Sequence, residues 1–185
     1  MWVSIHETLR ARVRAKEARP KPPTAGCLDS QSVKTTEVGG AARGWDNGKK
    51  VKGRKRHVLV DTLGLLLIVV VTAASLSDQA GARQIFKQLR GTCKKLRKVW
   101  VDSTYRGAEW TAWVKEKYQI VLASVARAEG QKGFAVLPHR WVVERTLAWL
   151  SQNRRLSKDY EELPSTSETF VYVAMTRLML KRLAA

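Results

Sequence analysis

Acidic residues are scarce in this chain: 16 Asp and Glu stand against 34 Lys and Arg, which leaves a net charge of +18 over 185 residues. An excess of that size is out of keeping with an enzyme of small molecules. It draws polyanions through counterion release, with nucleic acid as the default partner. Cysteine and histidine are scarce too. Cys27 and Cys93 make neither a disulfide framework nor a metal-binding spacing, and His6, His57 and His139 are too scattered for a zinc site. The longest apolar run, LGLLLIVVVTAA, has 12 residues. A bilayer span needs about 20, and Asp61 and Asp78 stand just outside the run. The amino-terminal MWVSIHETLR lacks the basic-then-apolar order of a secretion signal. Together these absences predict a cytoplasmic, nucleoid-associated protein with no membrane partner.

What is present is an apolar content of 44%, enough for one domain with a sizeable core. Ile5, Leu9 and Val13, four apart, predict a helix from Ser4 to about Arg19 that RPKPP ends. AGCLDSQSVKT is a strand candidate carrying Asp29, and the glycine-rich EVGGAARGWDNGKK reads as loop. KGRKRHVLVDTLGLLLIVVVTAA reads as two strands joined at DTLG, where Asp61 and Gly64 supply the turn. A helix follows over SDQAGARQIFKQLRGT, capped by Ser77 or Asp78 and ended by Gly91. KVWVDS and IVLASVA are strands on either side of a helix over GAEWTAWVKEKYQ, and GQKGFAVLP is loop. A helix of about 18 residues covers HRWVVERTLAWLSQNRRLS, and a last one, with a Thr/Ser cap, covers TSETFVYVAMTRLMLKRLA. Three antiparallel strands followed by alternating helices and strands predict an α/β fold: a mixed sheet with helices packed on it.

The acids are few enough to weigh singly. Glu7, Glu17, Glu109 and Glu116 sit on helices among basic residues and read as surface charges. Asp61 forms a turn, Asp46 lies in the loop, Asp78 caps a helix, and Asp159, Glu161 and Glu162 read as solvated residues beyond a helix end. Three resist such treatment. Asp29 follows Cys27-Leu28 in a strand, Asp102 follows Val99-Trp100-Val101, and Glu144 lies within RWVVERTLAWL. A buried carboxylate needs a cation. The plain solution is a salt bridge: Arg140 or Arg145 for Glu144, and a lysine for each aspartate. The chemical solution is a metal. Three converging carboxylates are hard ligands suited to Mg²⁺ or Mn²⁺, and they can hold two such ions about 4 Å apart for in-line phosphoryl transfer. At about 100° per residue, Arg140, Glu144, Ser151, Arg155 and Lys158 also share one helical stripe. It suits either a nucleic-acid backbone or a solvated face of ion pairs.

Four stretches in order, LDSQSVKTTE, GKKVKGRKRHVLVDTLGLLLIVVVTAASLSDQAGA, VWVDSTYRG and RWVVERTLAWLSQNRRLSKDYE, resemble the catalytic domain of DDE transposases of bacterial insertion sequences. The nearest group carries a Tyr-Arg-Glu-Lys signature around its glutamate. The resemblance runs from about Ala25 to the carboxyl terminus. It implies a ribonuclease-H-like domain over residues 25–185, with residues 1–24 a helix and linker left from a DNA-binding region. It also implies metal-dependent cleavage at the element ends and strand transfer into target DNA, with two Mg²⁺ or Mn²⁺ ions. By position, Asp29 and Asp102 match the two aspartates and Glu144 the glutamate, as catalytic and metal-binding residues. Asp61 lies outside the triad. Arg140 matches the signature arginine. Leu137 and Ser151 stand where Tyr and Lys are usual, and Lys158 is a substitute one stripe further along.

Candidate contacts to DNA are the run Lys49, Lys50, Lys52, Arg54, Lys55 and Arg56, together with Arg106, Arg140, Arg154, Arg155 and Lys158. The partners implied are double-stranded DNA, a second copy in an active homodimer, and a DNA-binding region encoded upstream. Relatives carry a substantial region before the first aspartate, whereas 28 residues precede Asp29 here. A truncated frame, a degenerate copy and the downstream half of a frameshifted product all fit that difference. The main alternative to an active enzyme is a remnant that only binds DNA. A plain nuclease on the same fold, or a basic RNA-binding protein exposing aromatics on its sheet, are further readings.

Overall fold

A computed structural model gives the fold for residues 1–37, 39–89, 92–125 and 139–185. Its centre is strand β1 (Ala25–Lys34). The short strand β2 (Gly44–Asp46) leads into β3 (Val51–Asp61), which pairs antiparallel with β1 on one side and with β2 and β4 (Leu66–Ala73) on the other. Beyond β1, in the opposite direction, β5 (Lys98–Val101) and then β6 (Val121–Ser124) add as parallel strands. This is the mixed sheet that the order of elements predicts. The hairpin turn between β3 and β4 also forms as expected. Asp61 Oδ1 accepts from the amides of Leu63 and Leu65, each at 2.9 Å, and Gly64 takes a φ of +79°, which favours glycine. One segment departs from expectation: Gly44–Asp46 is strand rather than loop. The chain folds back there onto the start of β3, and the Asp46 carboxylate is buried against the Ser32 hydroxyl at 2.5 Å and Lys55 at 3.4 Å.

Helices cover both faces of the sheet. Helices α1 (Trp2–Lys16), α2 (Asp78–Leu89), α3 (Ala108–Tyr118), α4 (Arg140–Ser151) and α5 (Pro164–Ala184) follow in chain order. Successive strand residues point to opposite faces. Leu28, Leu59, Val99 and Val101 therefore meet Ile85, Phe86 and Trp110 of α2 and α3. Cys27, Val58 and Val60 meet Val143, Leu147, Val171 and Met175 of α4 and α5. The apolar run of β4 shows no alternation because both of its faces are buried. Helix α1 packs on α5 through Leu9, Val13 and Met179 and is tied to the hairpin by a buried Arg14–Asp61 ion pair at 2.5 Å. It is built into the fold.

Two helix boundaries are corrected. Helix α4 stops at Ser151 after 12 residues, not about 18. The Asn153 amide donates to the carbonyl of Trp149 at 2.8 Å, a 3₁₀ turn follows at Arg154–Leu156, and buried Arg56 donates to the carbonyls of Leu156 and Lys158. Arg155 and Lys158 therefore leave the stripe shared by Arg140, Glu144 and Ser151. Helix α5 begins at Pro164 without a side-chain cap. Proline needs no partner for an amide it lacks, and its φ is already helical. Gly91 and the whole of GQKGFAVLP, with Leu137, lie outside the described residues.

Candidate active site

The site follows from strand register. Cys27 of β1 faces Trp100 of β5 across the parallel ladder. Two residues further on, and on the same face by the alternation of side chains, come Asp29 and Asp102. Helix α4 starts over the middle of β1 and the end of β5, and its entry is pinned twice. The Cys27 thiol donates to the His139 carbonyl at 3.1 Å, and the His139 ring stacks on Trp100 with centroids 4.0 Å apart. His139 itself takes a φ of +67°, a strained setting for a side chain with a Cβ. Arg140 is the first residue of the helix, and Glu144 lies one turn later on the same side.

Arg140 Nη2 lies 3.7 Å from Asp29 Oδ2, 3.9 Å from Asp102 Oδ2 and 3.3 Å from Glu144 Oε1. All three acids singled out in the sequence thus converge on one guanidinium nitrogen. Their partner is this arginine, not the separate lysines expected for the aspartates. The remaining aspartate oxygens are held from behind. Asp29 Oδ1 accepts from the Ser30 amide at 2.7 Å, and Asp102 Oδ1 accepts from the Thr104 amide at 2.8 Å and from the Thr104 hydroxyl. Burial pushes the Asp29 carboxyl up to about 6, and the nearby Asp102 adds to the rise. The Ser30 amide, Arg140 and Lys49 pull in the other direction. Lys49 is close because its Nζ donates to the Ser30 carbonyl at 3.2 Å. The Glu144 side chain is 52% exposed and reaches in from the helix.

The donor set fits a hard divalent cation. Three carboxylate oxygens face one positive centre, and the second oxygen of each aspartate is anchored so that the first stays aimed there. Among the described residues no group of three His, Cys, Asp or Glu is drawn together tightly enough to close around a metal. The oxygens stand 3.3–3.9 Å from the guanidinium nitrogen, whereas Mg²⁺ takes its oxygens at about 2.1 Å.

The basic residues divide sharply. Lys50 is exposed just before β3 and Lys52 near its start, and Arg154 and Lys158 are exposed beyond α4. Arg106 is exposed past the end of β5, its Nε donating to the Ser124 hydroxyl at 3.0 Å. Arg155 is exposed but engaged, with Glu161 at 2.8 Å. Arg54, Lys55 and Arg56 are corrected: they are buried and cannot line a DNA surface. Arg54 pairs with Asp159 at 3.1 Å and donates to four backbone carbonyls. Lys55 meets Asp46 and Asp78, and Arg56 donates to carbonyls alone. Both faces of β3 are covered at this point, so alternation sends each side chain into the protein. Asp159, expected in solvent, is buried because its segment bridges to Thr35 beyond β1 and its carboxylate meets Arg54 and the Ser167 hydroxyl.

Sequence reasoning missed His139, Trp100 and Cys27 as the residues that set the helix over the strands. The only available signal was that Cys27 and Trp100 each stand two residues before an aspartate. Apolar residues of the central strands β1, β3 and β5 pack against helices on both faces, unlike the open aromatic sheet face of an RNA-binding module.

The chain is similar to known proteins. Residues 20–179 match the model of the transposase DDE domain. The putative transposase for insertion sequence element IS402 of Burkholderia cepacia is 28% identical over 116 residues, 59% of this chain and 54% of that protein. The chain thus spans about half the length of the curated relative it matches. Among solved structures, a chain of the simian T-cell lymphotropic virus intasome in complex with PP2A regulatory subunit B56 gamma has a TM-score of 0.50 at 17% identity, over 83% of this chain and 47% of that one. That likeness concerns the fold alone, which is ribonuclease-H-like. With most of its length matched by the family model, this chain belongs to the family of transposase DDE domains.

Proposed function

We propose that this chain cuts and joins DNA as the catalytic domain of an insertion-sequence transposase, with Asp29, Asp102 and Glu144 as its metal ligands. The observation that carries the reading is the convergence of these three acids on one cationic position. Two Mg²⁺ or Mn²⁺ ions at such a site supply the positive charge that stabilises the attacking and leaving oxygens of an in-line displacement. The two aspartates offer oxygens held by strand register and backbone amides, and the half-exposed Glu144 adjusts from its helix. A water oxygen displaces the 3′-oxygen of the element end, and that freed 3′-hydroxyl then displaces a 3′-oxygen in target DNA. Each step forms one phosphorus–oxygen bond and breaks one.

The exposed cations Lys49, Lys50, Lys52, Arg106, Arg154 and Lys158 draw the duplex to the site as backbone contacts. A second copy of the chain pairs the two ends, and a DNA-binding region encoded upstream selects them. Duplexes carrying the element ends test the reading, incubated with Mg²⁺ or Mn²⁺ and scored for nicks and joined products. The wild type should form both. Metal-dependent activity that survives Asp102→Asn or Glu144→Gln would sink the assignment. Binding without cleavage by the wild type would instead mark a DNA-binding remnant.

A further inference from the structure

The cation at the centre of the site is one the protein supplies itself, and it is loosely held. Arg140 Nη2 meets its three carboxylates at 3.3–3.9 Å, longer than the roughly 2.7–2.9 Å of charge-assisted hydrogen bonds. Among the described residues no hydrogen bond anchors the guanidinium elsewhere. Two cations, Arg140 and the nearby Lys49, face three acids, so the cluster is under-neutralised. The side chain is 19% exposed and belongs to the first residue of α4. Rotation about its own bonds therefore carries the guanidinium into solvent without unwinding the helix. A divalent ion brings twice the charge to the same three oxygens and binds them more closely. It cannot share them with Nη2, because the two cations repel at that range.

We propose that Arg140 is an exchangeable internal cation. Its guanidinium holds Asp29, Asp102 and Glu144 together in the metal-free protein, and entry of a divalent ion turns it outward onto a phosphate of the DNA. The proposal rests on the reading of these acids as metal ligands. Arg140 is then a positioning residue with two stations, one on the carboxylates and one on the substrate backbone, where a guanidinium pairs well with phosphate. Metal and DNA binding become coupled. The metal releases Arg140, the phosphate retains it in the released station, and each ligand tightens the other reciprocally.

Mn²⁺ titrated into the full chain without DNA, with the free ion followed by electron paramagnetic resonance, tests the exchange. Arg140→Gln removes the competing charge and should bind Mn²⁺ at least about tenfold more tightly than the wild type. Arg140→Lys keeps the charge and should stay near the wild type. If Arg140 merely braces the acids, Arg140→Gln weakens Mn²⁺ binding. That result, or equal affinities, overturns the proposal and leaves the metal reading standing. If neither wild type nor variants bind Mn²⁺, the metal reading falls and the proposal with it. A second measurement needs only the wild type: anisotropy of a labelled duplex at constant ionic strength. Mn²⁺ should tighten DNA binding severalfold, and unchanged or weaker binding overturns the coupling.

Discussion

Arg54 and Arg140 are both arginines facing carboxylates, and they behave as opposites. Arg54 is sealed in the protein against a single acid, Asp159, and four carbonyls. Asp159 is completed in turn by the Ser167 hydroxyl at 2.7 Å and the Glu161 amide at 3.1 Å. Every N–H of the Arg54 guanidinium is used, so the pair clamps the segment before α5 onto β3. Arg140 meets three acids, makes no close hydrogen bond to them, and keeps a path to solvent. The same chemical pair is thus a fixture in one place and a replaceable contact in the other. Burial and the ratio of charges decide which.

Five measurements would break or sharpen that contrast. The largest effect belongs to the clamp. Arg54→Met removes the cation bonded directly to buried Asp159 and leaves only the more distant Arg56, and urea unfolding should show a loss of about 3 kcal/mol; a loss under about 1 kcal/mol would mean the pair is not a clamp. On the other side, Asp102→Asn should lower the rate of metal-dependent cleavage by at least about a hundredfold, while its circular dichroism spectrum stays that of the wild type.

Asp29 supplies the third test. Its folded pKa of about 6 lies above the ordinary value of about 3.9, so the folded state binds more protons between those limits. Its contribution to stability is greatest below about pH 4, falls as pH rises through about 6, and leaves an ionised, disfavoured group above that. Asp29→Asn should therefore stabilise the metal-free protein at pH 7 by about 2 kcal/mol and leave it little changed at pH 4. Equal stabilities at pH 7 would contradict the burial argument. Mn²⁺ affinity of the wild type should fall below about pH 6, since binding must then expel a proton. The smallest effect is that of Arg140→Gln on the metal-free fold. A partly exposed, under-neutralised contact should change stability by no more than about 1 kcal/mol, and a loss comparable to that of Arg54→Met would erase the distinction.

Much of the architecture was legible in the chain. The hairpin at DTLG, the apolar strands and the helices between β4 and β6 follow from local chemistry that the tertiary structure leaves in place. The three acids stood out because carboxylates among apolar residues demand a reason. The fate of the other charges was not legible. Lys49 and Arg56 belong to one basic run, yet Lys49 lies near Asp29 while Arg56 is buried among carbonyls. Asp159 looked solvated beside Glu162 and is buried instead.

By itself, then, the sequence determined the order of strands and helices, the basic balance, and the identity of Asp29, Asp102 and Glu144 as acids in need of a partner. Periodicity and composition are local, so they are written in the chain. Only the tertiary structure decided which cations are spent inside, and that Arg140 is the partner of all three acids. Those outcomes depend on what covers each face of β3, on the parallel register that sets Asp29 beside Asp102, and on the point where His139 leads α4 across β1 and β5. Such contacts join residues far apart in the chain, and no local pattern specifies them.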